Sequence, residues 1–128
     1  MPKWSEYLKA ARERGSLALE LYCVVSVPVG DVALLQQTLP DHLAYQKKRE
    51  AAGDLVFAGP LSDETGEEMI GMGMIVYRAD SFEAAQALAE ADPMHMAGAR
   101  TFTLRRWMIN EGGFSLKVEL AGQSVTLG

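Results

Sequence analysis

An α+β fold with one mostly antiparallel sheet is predicted by three observations on this sequence. Apolar residues recur with a period of two in some segments and of about 3.6 in others, in the order strand, helix, strand, strand, helix, strand. Glycine, proline and helix-capping residues fall between those segments. The strand segments Leu19 to Val27, Met69 to Tyr77 and Thr101 to Ile109 are apolar or aromatic on much of both faces, as in a sheet covered on both sides. This order is the split β-α-β pattern of ferredoxin-like sheets, which carry both helices on one face.

The elements follow from the residues in turn. Trp4 to Arg14 reads as a short amphipathic helix, with Trp4, Leu8 and Ala11 on one side. Leu19 to Val27 is a strand, apolar at every second position, and Pro28 and Gly30 end it. Asp31 to Gln37 is compatible with a helical turn. Thr38-Leu39-Pro40-Asp41 then fits a capping box, so the first main helix is expected over Leu39 to Ala52 with Gly53 as its stop. Leu55 to Gly59 is a second strand and Pro60 to Glu67 a polar turn.

Met69 to Arg78 is the third strand, with Gly71 and Gly73 on one face and Ile70, Met72, Met74 and Val76 on the other. Glycines sharing a face imply close approach of a helix or ligand there, or a bulge. Asp80 to Ala91 is the second helix, capped by Asp80 or Ser81, with Phe82, Ala85, Leu88 and Ala89 inward. Arg100 to Ile109 is the fourth strand. Phe114 to Leu120 and Ser124 to Leu127 form an added hairpin turning at Ala121-Gly122.

The chain of 128 residues is long enough for one domain, with a core over about residues 17–110 and a C-terminal extension over 112–128. Its net charge of -5 argues against a broad phosphate-binding surface, so nucleic acid is not an expected partner. No stretch approaches the roughly 18 apolar residues of a bilayer span, and Met1 to Gly15 has no apolar segment of the secretory kind. The single cysteine, Cys23, sits in an apolar strand and reads as a small buried hydrophobe. The expected setting is cytoplasmic, with no membrane contact.

Two histidines are available for chemistry. If Thr38 caps its helix, His42 lies in the first turns, near the positive end of the helix dipole, which favours an uncharged imidazole able to act as a base. His42, Tyr45 and Arg49 then share a helical stripe that can rim a cleft. Asp92 is placed at the end of the second helix, facing the negative end of that dipole, and needs compensation. Two readings stay open for it: a local turn accepting backbone N–H groups beyond Pro93, or an imidazole partner whose tautomer it holds. His95 is a second possible partner for Asp92.

A metal site is not expected, because neither a His pair at helical spacing nor paired cysteines occur. Gly59-Pro60 and Gly71-x-Gly73 do not open helices, so they make no phosphate cradle. The seven methionines read as adaptable core and pocket lining.

Four segments carry a resemblance. Asp41-His42-Leu43-Ala44-Tyr45, Ala52-Gly53-Asp54-Leu55-Val56-Phe57-Ala58-Gly59-Pro60-Leu61, Ser81-Phe82-Glu83-Ala84-Ala85, and Ala91-Asp92-Pro93 with Ala97-Gly98 are together similar to the YciI-related (YCII) domain family, over roughly Leu17 to Trp107. The resemblance implies a ferredoxin-like fold of the dimeric α+β barrel type and an active site made of a His-Asp pair, which would be His42 and Asp92 here. It leaves the helix Trp4 to Arg14 and the tail from Gly112 unassigned, and Met94-His95-Met96 departs from the apolar or aromatic residues usual after Asp-Pro.

The sequence therefore points to a cofactor-free lyase or isomerase acting on a small polar or cyclic molecule. His42 and Asp92 are its expected catalytic pair. Tyr45, Arg49 and His95 are candidates for binding substrate oxygens, and Pro60 for contacting the substrate. A sheet apolar on both faces implies a homodimer. The alternative is a non-catalytic dimeric module that binds a small molecule or serves as an accessory subunit, with the pair as a structural clasp.

Overall fold

The computed structural model describes residues 1–127. Its elements in chain order are α1 (Trp4–Glu13), β1 (Leu19–Pro28), α2 (Val32–Ala52), β2 (Leu55–Ser62), β3 (Met69–Tyr77), α3 (Phe82–Glu90), α4 (Pro93–Met96), β4 (Arg100–Ile109), β5 (Leu116–Glu119) and β6 (Ser124–Leu127). They group into two compact units: Glu20–Trp107, close to the expected core of residues 17–110, and Met1–Leu19 with residues 108–127.

In the first unit the sheet order is β2-β3-β1-β4, with β3 antiparallel to both of its neighbours. Val24 and Ala58 both pair with Ile75, and Ser26 and Pro60 both pair with Gly73. Because side chains alternate along a strand, Ser26, Val24, Gly73, Ile75 and Tyr77 share one face. Val24, Ile75 and Tyr77 pack there with Ala89 of α3, and Leu55, Leu88, Phe102 and Leu104 close around them. Alanines at Ala85 and Ala89, both fully buried, let α3 approach the sheet closely. Tyr77 is also fully buried, its hydroxyl lacks a partner, and burial drives that phenol well above its usual range.

The main differences from expectation are three. The first helix is continuous from Val32, with Asp31 as its cap accepting from Leu34 N at 3.0 Å, rather than starting at Leu39. Thr38 is inside that helix and donates to the Leu34 carbonyl at 2.7 Å. Pro40 is tolerated because it lies on the exposed side, whereas Leu34, Leu35, Thr38, His42, Tyr45, Gln46 and Arg49 continue one inward stripe through it. A mid-helix proline costs about 3 kcal/mol, which packing of that stripe offsets. Gly53 ends α2 in the left-handed region, as expected.

β2 runs on through Pro60 to Ser62 instead of stopping at Gly59. It is an edge strand, where a residue without an N–H removes no ladder bond. After α3, which Ser81 caps through Ala84 N at 3.0 Å, a further short helix α4 follows where no helix was expected.

In the second unit, α1 carries Arg14 just beyond its end, with the guanidinium over the Tyr7 ring at 5.2 Å and donating to the Tyr7 hydroxyl at 3.0 Å. The Ala18 amide donates to Asn110 Oδ1 at 3.2 Å. β5 and β6 form the expected hairpin, pairing from Leu116 with Leu127 to Glu119 with Ser124.

Candidate active site

α2 and the Asp92 turn meet through one contact. His42 Nδ1 lies 2.8 Å from Asp92 Oδ1 and 2.9 Å from Oδ2. The Asp92 carboxylate is 0% exposed. It caps α4, accepting from Met94 N at 3.0 Å, so the local-turn and imidazole-partner readings of the sequence hold together in one carboxylate. Asp92 is not in a helix's last turn, because α3 ends at Glu90, and the dipole penalty expected for it does not arise. The dipole effect expected at His42 is likewise absent, since α2 begins at Val32.

A carboxylate can only accept at Nδ1, so that nitrogen carries the proton and the lone pair of a neutral ring is on Nε2. His42 lines a cleft of about 740 Å³ between α2 and the β2–β3 part of the sheet. Leu39, Leu43, Gln46 and Glu50 of α2 line it too, at the spacing of one helical face. Gly71 and Gly73 are part of its floor, and the pairing of β2 with β3 shifts register between Gly73 and Met69, the bulge among the alternatives their shared face left open. Pro60 lines the cleft as well.

Tyr45 and Arg49 are turned elsewhere, against the expectation that they bind substrate. Tyr45 donates to the Leu88 carbonyl at 2.6 Å, and Arg49 pairs with Asp54 at 3.0 Å while lying over the Tyr45 ring at 5.4 Å. The physical reason is that their polar atoms are already occupied, by the Leu88 carbonyl and the Asp54 carboxylate, which turns both side chains from the cleft. Gln46 rather than Tyr45 therefore follows His42 into the cleft.

His95 is also not among the lining residues. Its Nδ1 donates to the Ala89 carbonyl at 2.7 Å, which leaves Nε2 as acceptor for the Ser26 hydroxyl at 2.8 Å, and its ring packs on Phe102 with centroids 4.6 Å apart. Burial lowers the His95 pKa, with Arg100 and His42 acting in the same direction, against the Ala89 bond and Asp92. A neutral ring is what this bonding pattern requires.

Ser26 in turn accepts from Arg100 Nε at 2.8 Å, and Arg100 Nη2 donates to the carbonyls of Ser26 at 2.9 Å and of Gly71. Arg100 and Ser26 both line the cleft and were not anticipated. The signal was available: Arg100 is in phase with Phe102 and Leu104, so a charged residue stands at a position of the strand that faces the helices.

Cys23 is half-buried, and burial raises its thiol pKa against the pull of Arg105, consistent with an unreactive side chain. Among the described residues no group of three or more His, Cys, Asp or Glu is arranged to hold a metal ion, and no helix is long and apolar enough to cross a membrane.

The comparisons with known proteins agree with this fold. The chain is 30% identical over 76 residues to the uncharacterized protein YjpA of Bacillus subtilis (strain 168), an alignment covering 59% of this chain and 82% of that protein. Its fold is similar to that of 5-chloro-2-hydroxyhydroquinone dehydrochlorinase (TftG) from Burkholderia phenoliruptrix AC1100, solved in complex with 2,5-dihydroxybenzoquinone. There the TM-score is 0.56 at 23% identity, over 68% of this chain and 92% of that one. Residues 21–108, which hold most of β1, most of β4 and everything between, with His42, Asp92 and Arg100, match the model of the YCII-related domain, and the chain belongs to that family.

Proposed function

We propose that this protein is a small, cofactor-free cytoplasmic enzyme of the lyase or isomerase class, acting on a small polar or cyclic molecule held in the cleft beneath α2. His42 is the base and Asp92 the group that orients it. The observation that carries this is the pairing of His42 Nδ1 with a fully buried carboxylate on a ring that borders the cleft. Such a carboxylate holds the tautomer and stabilises the imidazolium once formed.

The chemistry needs only one proton acceptor. Nε2 takes a proton from a carbon next to a carbonyl, and the electron pair moves onto the carbonyl oxygen as an enolate. The imidazolium then returns the proton to another atom, giving isomerisation. Alternatively the carbonyl re-forms as a leaving group departs from the adjacent carbon with its bonding electrons, giving elimination. The shared fold with a dehydrochlorinase that binds an oxygenated ring supports the second course.

Asp92→Asn tests the pair. The Met94 amide needs an acceptor, so the Asn oxygen stays at the Oδ1 position and the new NH2 group faces His42 Nδ1. A donor there demands a lone pair, which moves the ring proton to Nε2. Side-chain 15N NMR should show the Nδ1–H tautomer in the wild type and the Nε2–H tautomer in the variant, with activity lost. An imidazole indifferent to the change would refute the dyad.

The complete burial of Asp92 also favours the second reading, a non-catalytic binding module in which the pair is a clasp. In either case we infer a homodimer. Phe57, Ile70 and Trp107, on the sheet face away from α2 and α3, are 47%, 50% and 42% exposed. Light scattering should return twice the chain mass, and a monomer would exclude it.

A further inference from the structure

The cleft contains a charge that the proposed acid/base pair does not use. Arg100 is half-buried, and among the described residues its guanidinium has no carboxylate partner within ion-pair distance. Asp92 is close enough to act on it electrostatically, but its oxygens are committed to His42 and the Met94 amide. All of the hydrogen bonds from Arg100 go to neutral oxygens: the Ser26 hydroxyl and the carbonyls of Ser26 and Gly71. They use Nε and Nη2 and hold the planar group across the sheet.

That orientation is held by Ser26, through its hydroxyl and its carbonyl. Ser26 and Gly73 face each other on adjacent strands, and a Cβ at Gly73 would stand 3.9 Å from Arg100 Nη2. His95 fixes the Ser26 hydroxyl from behind, so Ser26 and His95 are positioning residues for the guanidinium. A partly desolvated guanidinium without a counter-charge is costly unless an anion arrives. A second polar atom in the cleft also lacks a partner: Gln46 Oε1 is buried and makes no hydrogen bond. The remaining walls are largely apolar, among them Leu39, Leu43, Leu55, Ile75 and Met94.

We propose that Arg100 receives an anionic oxygen of the substrate, so that the cleft takes small organic acids: an apolar body bearing a carboxylate or an acidic enol or phenol oxygen. Gln46 accepts from a hydroxyl on the same molecule. In the reaction outlined above, Arg100 holds the oxygen on which negative charge rests while His42 moves the proton. This rests on taking the cleft as the substrate site, but not on His42 being a base.

The test is an NMR shift titration of the full chain with benzoate, with deprotonated 4-nitrophenol, and with benzyl alcohol as the neutral isostere. Benzoate or the phenolate should perturb the Arg100 Nε–H resonance saturably and bind the wild type about tenfold or more tighter than benzyl alcohol. Whichever anion binds better identifies the class of oxygen. Arg100→Gln should bring acid and alcohol within about twofold of each other, and Arg100→Lys should keep part of the preference while losing the fork.

Should Arg100→Gln fail to fold, the wild-type ratio and Arg100→Lys still decide. Equal binding of acid and alcohol, no saturable shift with either anion, or an undiminished preference in Arg100→Gln overturns the proposal. A preference for benzoate that persists in Asp92→Asn while the His42 tautomer proves indifferent leaves Arg100 as an anion site and removes only the dyad. A tautomer that responds beside equal acid and alcohol binding does the reverse.

Discussion

Asp92→Ala is expected to lower the free energy of unfolding by about 3 kcal/mol, combining a lost helix cap with a half-buried imidazole N–H left without its acceptor. The carboxylate is 0% exposed and receives both His42 Nδ1 and the Met94 amide, so no solvent is at hand to replace it. By thermal denaturation the melting temperature should fall by roughly 10 °C. Asp92→Asn keeps the oxygen that caps α4 and should cost about 1 kcal/mol. A loss below about 1 kcal/mol for Asp92→Ala would mean that the carboxylate carries little of the fold. His42→Ala in the same assay separates the two functional readings: a clasp predicts a substantial loss, whereas a catalytic pair predicts a small one, since Asp92 still caps α4.

The sequence exposes the pair but not its setting. Strand alternation and the spacing in α3 place the sheet and its inward residues correctly, because period two and period 3.6 are properties of single elements. Gly53 marks its helix end for an equally local reason, the positive φ that ends α2. The start of α2 is different. Thr38-x-x-Asp41 with Pro40 imitates a capping box, yet the inward stripe through Leu34, Leu35, Thr38 and His42 is continuous, and tertiary packing overrides the local signal. The early start also removes the dipole argument for His42 without disturbing its contact with Asp92.

The cleft-facing residues depend on which of two neighbouring helical directions points at the sheet, and helical spacing alone does not choose between Tyr45–Arg49 and Gln46–Glu50. That choice is made by Leu88 and Asp54, which occupy the polar atoms of Tyr45 and Arg49. Arg100 and Ser26 meet only because β1 and β4 are adjacent, a pairing of residues far apart in sequence. His42 and Asp92 were legible as histidine and carboxylate each close to a proline, although only Pro93 marks a boundary and Pro40 lies inside α2; Arg100 was hidden at the start of an otherwise ordinary strand.

Gly71→Ala carries the other large expected effect. Gly71 has φ of +80°, and a Cβ built there would stand 2.9 Å from the Pro28 Cγ. A left-handed conformation costs an L-residue about 1–2 kcal/mol, and a proline ring has little freedom to retreat, so a total near 3 kcal/mol is expected. Gly66→Ala separates the two terms, because Gly66 has φ of +81° with nothing within 4 Å of the added carbon. It should cost only the conformational part, about 1 kcal/mol, and Gly59→Ala, with open space and no positive φ, should be near neutral. Equal losses at Gly71 and Gly66 in denaturant unfolding would show that Pro28 yields. The carbonyl of Gly71 also accepts from Arg100 Nη2, so the clash should loosen the guanidinium and weaken benzoate binding in Gly71→Ala but not in Gly66→Ala, linking the backbone of β3 to the selectivity of the cleft.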